Sequence, residues 1–285
     1  SLVRRVGWRG LPGLSRISPF TTLWQELGTH FKTPRMRQLF GRYATYCGSS
    51  PFLAPATLML IAHVEQDGLW LVDGGMHRVA TMLADLTVRA GGRIRYSTQV
   101  REVFQHNGQV TGVRLENAEG QAETLSASVV VYNGDVAALA AGLLGPDVAA
   151  ASPKPAPRSL SALTWNMVTV PRGYPLLRHT VFFSDNCEAE FNQIFRHHQL
   201  PDQPTVYVCA LDRGDHSPQP SCDGPERLLC LVNAPANGDT APWHPASYRA
   251  CESEAWGLLQ RCGLSLSHLP SASVVTTPRD FGQMF

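Results

Sequence analysis

Residues 68–135 constrain the fold of this 285-residue chain more than any other stretch, because they join several different periodicities in one connected order. The apolar run from Gly68 closes on the pair Gly74 and Gly75. Beyond it, Met76, Val79, Ala80, Leu83, Leu86 and Ala90 recur at three- and four-residue spacing, which predicts a helix from Met76 to Val88 with one buried face. Gly91 and Gly92 end that pattern. Arg93 to Tyr96 and Gln99 to Gln105 read as strands, and Asn107 with Gly108 supplies the positive φ angles of a tight hairpin before a return strand from Val110 to Leu115. Val129 to Tyr132 is a short apolar run of the kind that forms a strand covered on both faces of an α/β sheet. Asn133, Gly134 and Asp135 follow it, and Asp135 is placed to cap a helix from Val136. The expected unit is sheet, helix, sheet, with a β-meander inserted before the last strand.

The flanks read differently. Ser18 to Gln66 is expected to be helical: Ser18 caps and Pro19 opens a helix reaching Phe31, Pro34 starts another running to about Cys47, and Ser50 with Pro51 starts a third. Prolines 153, 155 and 157 form a stiff connector. Beyond it, strands are expected at 160–170, 180–183, 205–211, 228–234 and 273–276, with helices at 186–198 and 245–262. Strands without strict helix alternation imply a mainly antiparallel sheet with helices on one face. The expected class is therefore mixed α/β and α+β. The expected domains are a helical segment over 1–67, an α/β unit over 68–150 and a second, mainly antiparallel unit over 151–285.

Composition narrows the functions. A net charge of +1 with pI near 7.7 offers no general attraction to nucleic acid. Seven cysteines at scattered positions form no C-x-x-C pair and no zinc spacing, so a reducing cytoplasm is the simpler reading and no metal is expected. The pair His197 and His198 has no partner at metal spacing and suits a helix end. No apolar run approaches the roughly twenty residues needed to cross a bilayer. The longest, Phe52 to Val64, is interrupted by Pro55 and reads as a buried or interfacial helix.

The order of these words, together with His179 to Phe183 (HTVFF), Pro204 to Val208 (PTVYV), the loop Asp215 to Gly224 with Ser217 and Pro218, and Thr276 to Phe281 (TTPRDF), resembles the FAD-dependent carotenoid desaturases, the bacterial phytoene desaturase family within the glutathione-reductase-like flavoproteins. Each motif is weak alone, and their colinear succession carries the resemblance. Within that family the chain is most similar to desaturases acting on 1-hydroxy or methoxy carotenoids such as hydroxyneurosporene. Family members begin with a glycine-rich strand-turn-helix unit and close with a second flavin segment. This chain opens on Ser1, contains no G-x-G-x-x-G and stops at Phe285 within the T-P-x-D-F motif. The resemblance thus implies an internal fragment that alone is inactive and does not hold FAD tightly.

What the resemblance implies for individual residues follows. Gly74 and Gly75 would let backbone approach the flavin, Val100 would pair its backbone with the adenine edge, and Asn133 would lie near the cofactor. Trp165, Met167, Phe182, Phe183 and Tyr207 alternate along predicted strands, and one face of that sheet would line an apolar channel for a carotenoid. Phe52, Leu58, Met59, Ile61 and Ala62 form an apolar segment that would either pack between lobes or dip into a membrane surface. The implied enzyme is cytoplasmic and peripheral on the membrane, and passes electrons to a quinone or oxygen. The catalytic base stays open among Glu65, Asp67, Asp73, Asp215 and Asp280. Two alternatives accompany this reading: an amine oxidase-like flavoprotein, and a non-catalytic isoprenoid binder of the same fold.

Overall fold

The computed structural model describes residues 18, 20–214, 224–241, 244–267 and 273–284. These divide into two compact units, one being Gly68–Pro157 and the other the residues up to Asp67 together with those from Arg158 onward.

Helix α1 (Leu23–His30) begins at Thr22, whose hydroxyl accepts from the Gln25 N–H at 3.2 Å while the Gln25 side chain accepts from the Thr22 N–H at 3.1 Å. This reciprocal cap satisfies two end donors and sets the helix start there, downstream of the expected Ser18; Pro19 lies outside the described residues. Helix α2 (Pro34–Gly41) runs into a 3₁₀ turn, Arg42–Cys47, so the second expected helix is present but tightens in its last part. The third starts later than expected. Pro55 interrupts the run after Pro51, leaving a 3₁₀ turn at Ala56–Met59 before α3 (Leu60–Gln66). Leu23, Leu27, Ala44 and Ala54 form the small core of this segment.

In the second unit, α4 (His77–Arg89) ends where Gly91 turns to φ +86° and Gly92 N–H reaches back to the Thr87 carbonyl at 2.9 Å. Strands β1 (Thr98–His106), β2 (Gln109–Asn117) and β3 (Ala122–Ser126) form an antiparallel meander in the order 1-2-3. The β1–β2 turn has φ +49° at Asn107 and +74° at Gly108, as the dipeptide demands. Helices α5 (Val136–Ala140) and α6 (Pro146–Ala151) complete the unit around Val103, Val113, Leu115 and Leu144.

Three expected strands are absent: 69–72, 93–96 and 129–132 have irregular backbone. Trp70 is 91% exposed and Val131 86%. An apolar run becomes a strand only when neighbours take its backbone hydrogen bonds and cover its side chains. Among the described residues, no strand pairs with any of these three segments.

The remaining elements are β4 (Ser161–Thr169), β5 (Pro171–Gly173), β6 (His179–Phe182), α7 (Cys187–Phe195), β7 (Val206–Ala210), β8 (Glu226–Ala234), α8 (Pro245–Arg261), β9 (Leu264–Leu266), β10 (Ser273–Thr276) and α9 (Pro278–Met284). The five strands and two helices expected beyond the connector all form, and β5, β9 and α9 are additions to them. Five of the strands form one antiparallel sheet in the order β10-β4-β8-β7-β6, and the short β5 and β9 pair separately. The period of two sorts side chains between faces. On one face Trp165, Cys230 and Val208 stand opposite one another across three strands. They pack on Cys251, Ala255 and Leu259, which recur every fourth residue along α8, and the Trp165 ring lies 5.2 Å from that of Trp256. On the other face Val181, Tyr207, Leu231 and Thr164 form a cross-strand row, with His179, Cys209, Leu229 and Asn166 beside it. No helix among the described residues is long and apolar enough to cross a membrane.

Candidate functional site

The Gly74–Gly75 corner is built as a turn open on one side. Gly74 has φ +80° and Gly75 +88°, the Gly75 N–H bonds the Val72 carbonyl at 2.9 Å, and the Gly75 carbonyl accepts from the Arg78 N–H at 3.0 Å. These φ values favour glycine because a Cβ would crowd the backbone. A Cβ at Gly75 would meet nothing within 4 Å, so the corner is uncovered. Helix α4 starts beside it with no side-chain cap and no acidic residue in its first turn. In that first turn the Arg78 and Val79 N–H groups are taken by the Gly75 and Met76 carbonyls, and the positive end of the helix dipole lies at the corner. A groove of about 650 Å³ runs alongside, with Asp73 and Arg78 near the corner, Asp85 and Arg89 further along α4, and Val72, Val79, Met82 and Leu86 as its apolar wall. An open glycine corner, two guanidinium groups and an apolar wall together match a flat ring system that carries an anionic tail, so the residues present fit a flavin.

The other two expected cofactor residues belong to the same unit. Val100 lies on β1, an edge strand of the meander among the described residues, immediately before a bulge at Arg101. It is half-buried against the Val103 core. Asn133 is exposed, two residues before Asp135, whose carboxylate caps α5 by accepting from the Ala137 N–H at 2.9 Å.

The five expected substrate residues divide between the two faces of the large sheet. Trp165, Met167 and Phe182 are buried on the face that packs against α8. Tyr207 is half-buried on the opposite face, and Phe183, the residue after Phe182, is also half-buried. The Tyr207 hydroxyl lies 2.7 Å from His179 Nδ1, and burial, with a hydrogen bond to Cys209, raises its pKa above the ordinary tyrosine value.

One constellation was not visible as a unit in the sequence. Glu65, at the end of α3, accepts hydrogen bonds from the Tyr43 and Tyr46 hydroxyls, the latter at 3.0 Å. The two tyrosines sit three residues apart on the turn after α2, a spacing that puts their side chains on one side, but their partner comes from 19 residues beyond Tyr46. Their rings stack at 5.8 Å, continuing a row in which Phe31 lies 4.9 Å from Phe40 and Phe40 6.4 Å from Tyr43. The hydrogen bond to Glu65, helped by burial, pushes the Tyr43 pKa up to about 12. Burial and the same carboxylate also raise that of Tyr46.

Of the remaining carboxylates, Asp67 and Asp73 are exposed, Asp280 accepts from the Thr277 N–H and hydroxyl at 2.8 and 2.7 Å to cap α9, and Asp215 lies outside the described residues, as does most of the Asp215–Gly224 loop. Glu190 on α7 is closed in: its carboxylate takes the Ser184 and Thr205 hydroxyls at 3.0 and 2.5 Å, with Arg42 Nη1 3.9 Å away. Burial raises the Glu190 pKa, against the pull of Arg42, and pushes the Cys187 thiol up to about 12. Among the described residues, no cluster of His, Cys, Asp and Glu could hold a metal.

Comparison with known proteins adds a family and relatives. The flavin containing amine oxidoreductase model matches residues 23–176. Hydroxyneurosporene desaturase of Rubrivivax gelatinosus is 48% identical, covering 100% of this chain and 54% of its own length. The hydroxyneurosporene desaturase of Cereibacter sphaeroides is 41% identical over 94% of this chain and 52% of its own length. The 1-hydroxycarotenoid 3,4-desaturase of a Flavobacterium species is 33% identical over 90% and 51%. The chain thus spans about half the length of these relatives.

Proposed function

Since the chain belongs to the flavin-containing amine oxidoreductase family, for which FAD is the cofactor, we propose that it serves FAD-dependent desaturation of a carotenoid, specifically 3,4-desaturation of a hydroxy- or methoxy-carotenoid. The observation that carries this reading is the similarity to hydroxyneurosporene desaturase along the whole chain. The open glycine corner supports it from the structural side.

In this reading residues 68–150 form the flavin side. Gly74 and Gly75 hold the ring system by their backbone, Val100 offers edge-strand backbone to the adenine, and Asn133 lines the approach. The flavin, when bound, supplies the hydride acceptor that side chains lack. The other unit handles the substrate. The half-buried Phe183 and Tyr207 contact the polyene, while Trp165, Met167 and Phe182 hold the sheet rigid from its other face. Its half-buried aliphatic residues, Val181, Leu229 and Leu231, exclude water from a hydrocarbon lying along them. Exposed Leu53, Leu60 and Val64 provide a contact with the cytoplasmic face of the membrane in which such a substrate dissolves, and a quinone or oxygen takes the electrons.

The test uses the full-length protein with bound flavin, in liposomes containing hydroxyneurosporene or phytoene. Extension of conjugation shifts the polyene absorption to the red, with hydroxyneurosporene converted faster. No shift with either substrate removes the desaturase reading.

A further inference from the structure

Resting on that reading, we infer that Glu190 is the positioning residue for Phe183: it locks the chain just after that ring and so holds the ring where it meets the polyene. Among the described residues β6 is an outermost strand of the large sheet, and its pairing with β7 ends at Phe182 opposite Val206. Phe183 stands beyond that last rung, where the ladder no longer fixes its backbone. The next residue supplies the fix. Ser184 is buried, its N–H donates to the Thr205 hydroxyl at 3.2 Å, its own hydroxyl donates to Glu190 Oε2 at 3.0 Å, and its carbonyl accepts from Gln38 Nε2 at 2.8 Å.

Glu190 organises two of these bonds. Its Oε2 takes the Thr205 proton at 2.5 Å as well as that of Ser184, which turns a lone pair of the Thr205 oxygen toward the Ser184 N–H. Glu190, Ser184 and Thr205 are 2%, 4% and 1% exposed, so solvent does not compete for these bonds, and rotating either hydroxyl away strands a buried acceptor.

The carboxyl group is itself braced. It lies in the first turn of α7, where the neighbouring Phe191 packs on Phe52 at 6.2 Å. Arg42 Nη1 is 3.9 Å from Oε1, the oxygen that has no hydrogen bond among the described residues. Burying a carboxyl costs free energy that an apolar residue beside Phe191 and Ile194 would not. What a carboxyl adds at that position is the clamp on two hydroxyls, and the clamp closes on the residue that follows Phe183. The ring itself is only half-buried, which leaves part of it to a ligand.

The experiment places 4-fluorophenylalanine at position 183 of the full-length flavoprotein and follows its fluorine resonance in the parent, in Glu190→Ala and in Glu190→Gln. Thr205→Val, which opens the same clamp with little change of volume, serves where Glu190→Ala fails to fold. The parent is expected to give one sharp line, and Glu190→Ala and Thr205→Val a shifted or broadened one. Glu190→Gln, whose amide oxygen still accepts from both hydroxyls, should stay close to the parent. The dissociation constant for hydroxyneurosporene, read from quenching of protein fluorescence, is expected to rise about three- to tenfold in Glu190→Ala, the worth of one well-placed aromatic contact. The same substitution made on top of Phe183→Leu should add little. A merely structural glutamate weakens binding equally with and without Phe183→Leu. That result, or an unmoved fluorine line in Glu190→Ala and Thr205→Val, overturns the assignment, and turnover of hydroxyneurosporene by the parent then leaves the desaturase reading intact. A line that moves while the parent neither binds nor converts the polyene keeps Glu190 as the residue that positions Phe183 and removes the desaturase reading.

Discussion

At the scale of single residues, burial separates two ion pairs that the sequence presents alike. Arg213 and Glu226 are both almost fully buried, and their two bonds of 2.8 and 2.6 Å join a guanidinium fork to a carboxylate. Arg227 and Asp212 make an equally short bond, but Arg227 is largely exposed. Removing one partner of a buried pair strands a charge in a low-dielectric site, whereas water compensates an exposed one. Glu226→Ala should therefore cost about 3–5 kcal/mol, and Arg227→Ala far less. Urea unfolding midpoints of the two variants check this, and equal losses would contradict it. Side-chain roles were legible only in part for the same reason. Alternation put Phe182 and Phe183 on different faces, but which face is covered depends on α8, some sixty residues away in the chain. The i, i+3 spacing of Tyr43 and Tyr46 was readable, whereas their shared partner Glu65 depends on how α3 folds back.

At the scale of elements, local signals were read well and those depending on neighbours were not. The Asn107–Gly108 turn, the strands β4, β7 and β8 and the long helix α8 all follow from periodicity and turn chemistry carried within the element itself. The strands expected at 69–72 and 129–132 do not form, because a doubly covered strand is defined by what surrounds it. The glycine corner before α4 lies between these cases. Its turn was legible, and its openness was not. Gly75→Ala in the full-length protein places a side chain at φ +88°, a strain of about 1–2 kcal/mol, and puts a methyl group into the open corner. Flavin occupancy, read from its absorption after desalting, is expected to drop while the α-helical circular dichroism is retained. Full occupancy in that variant would reduce Gly75 to a plain turn residue.

At the scale of the whole molecule, the two units have separate cores of unequal size. The large sheet is backed by an extensive cluster around Trp165, Val208 and Leu259, while Gly68–Pro157 is held by little more than Val103, Val113, Leu115 and Leu144. Stability follows buried apolar surface, so the chain in hand should unfold in two steps, the smaller unit first. Hydrogen exchange along a denaturant series tests this: amides of β1 to β3 should lose protection before those of β4, β7 and β8, and simultaneous loss would mean one cooperative body.

A sheet with one face locked against a helix and the other only partly covered divides its labour among alternate residues of the same strand. Swapping Val181, Leu231 or Leu229 for a bulkier or smaller neighbour falls on the half-buried side and spares the Trp165 side that keeps the unit folded. Such a scaffold lets an evolving lineage vary the half-buried side one position at a time, each trial drawing little on the stability reserve.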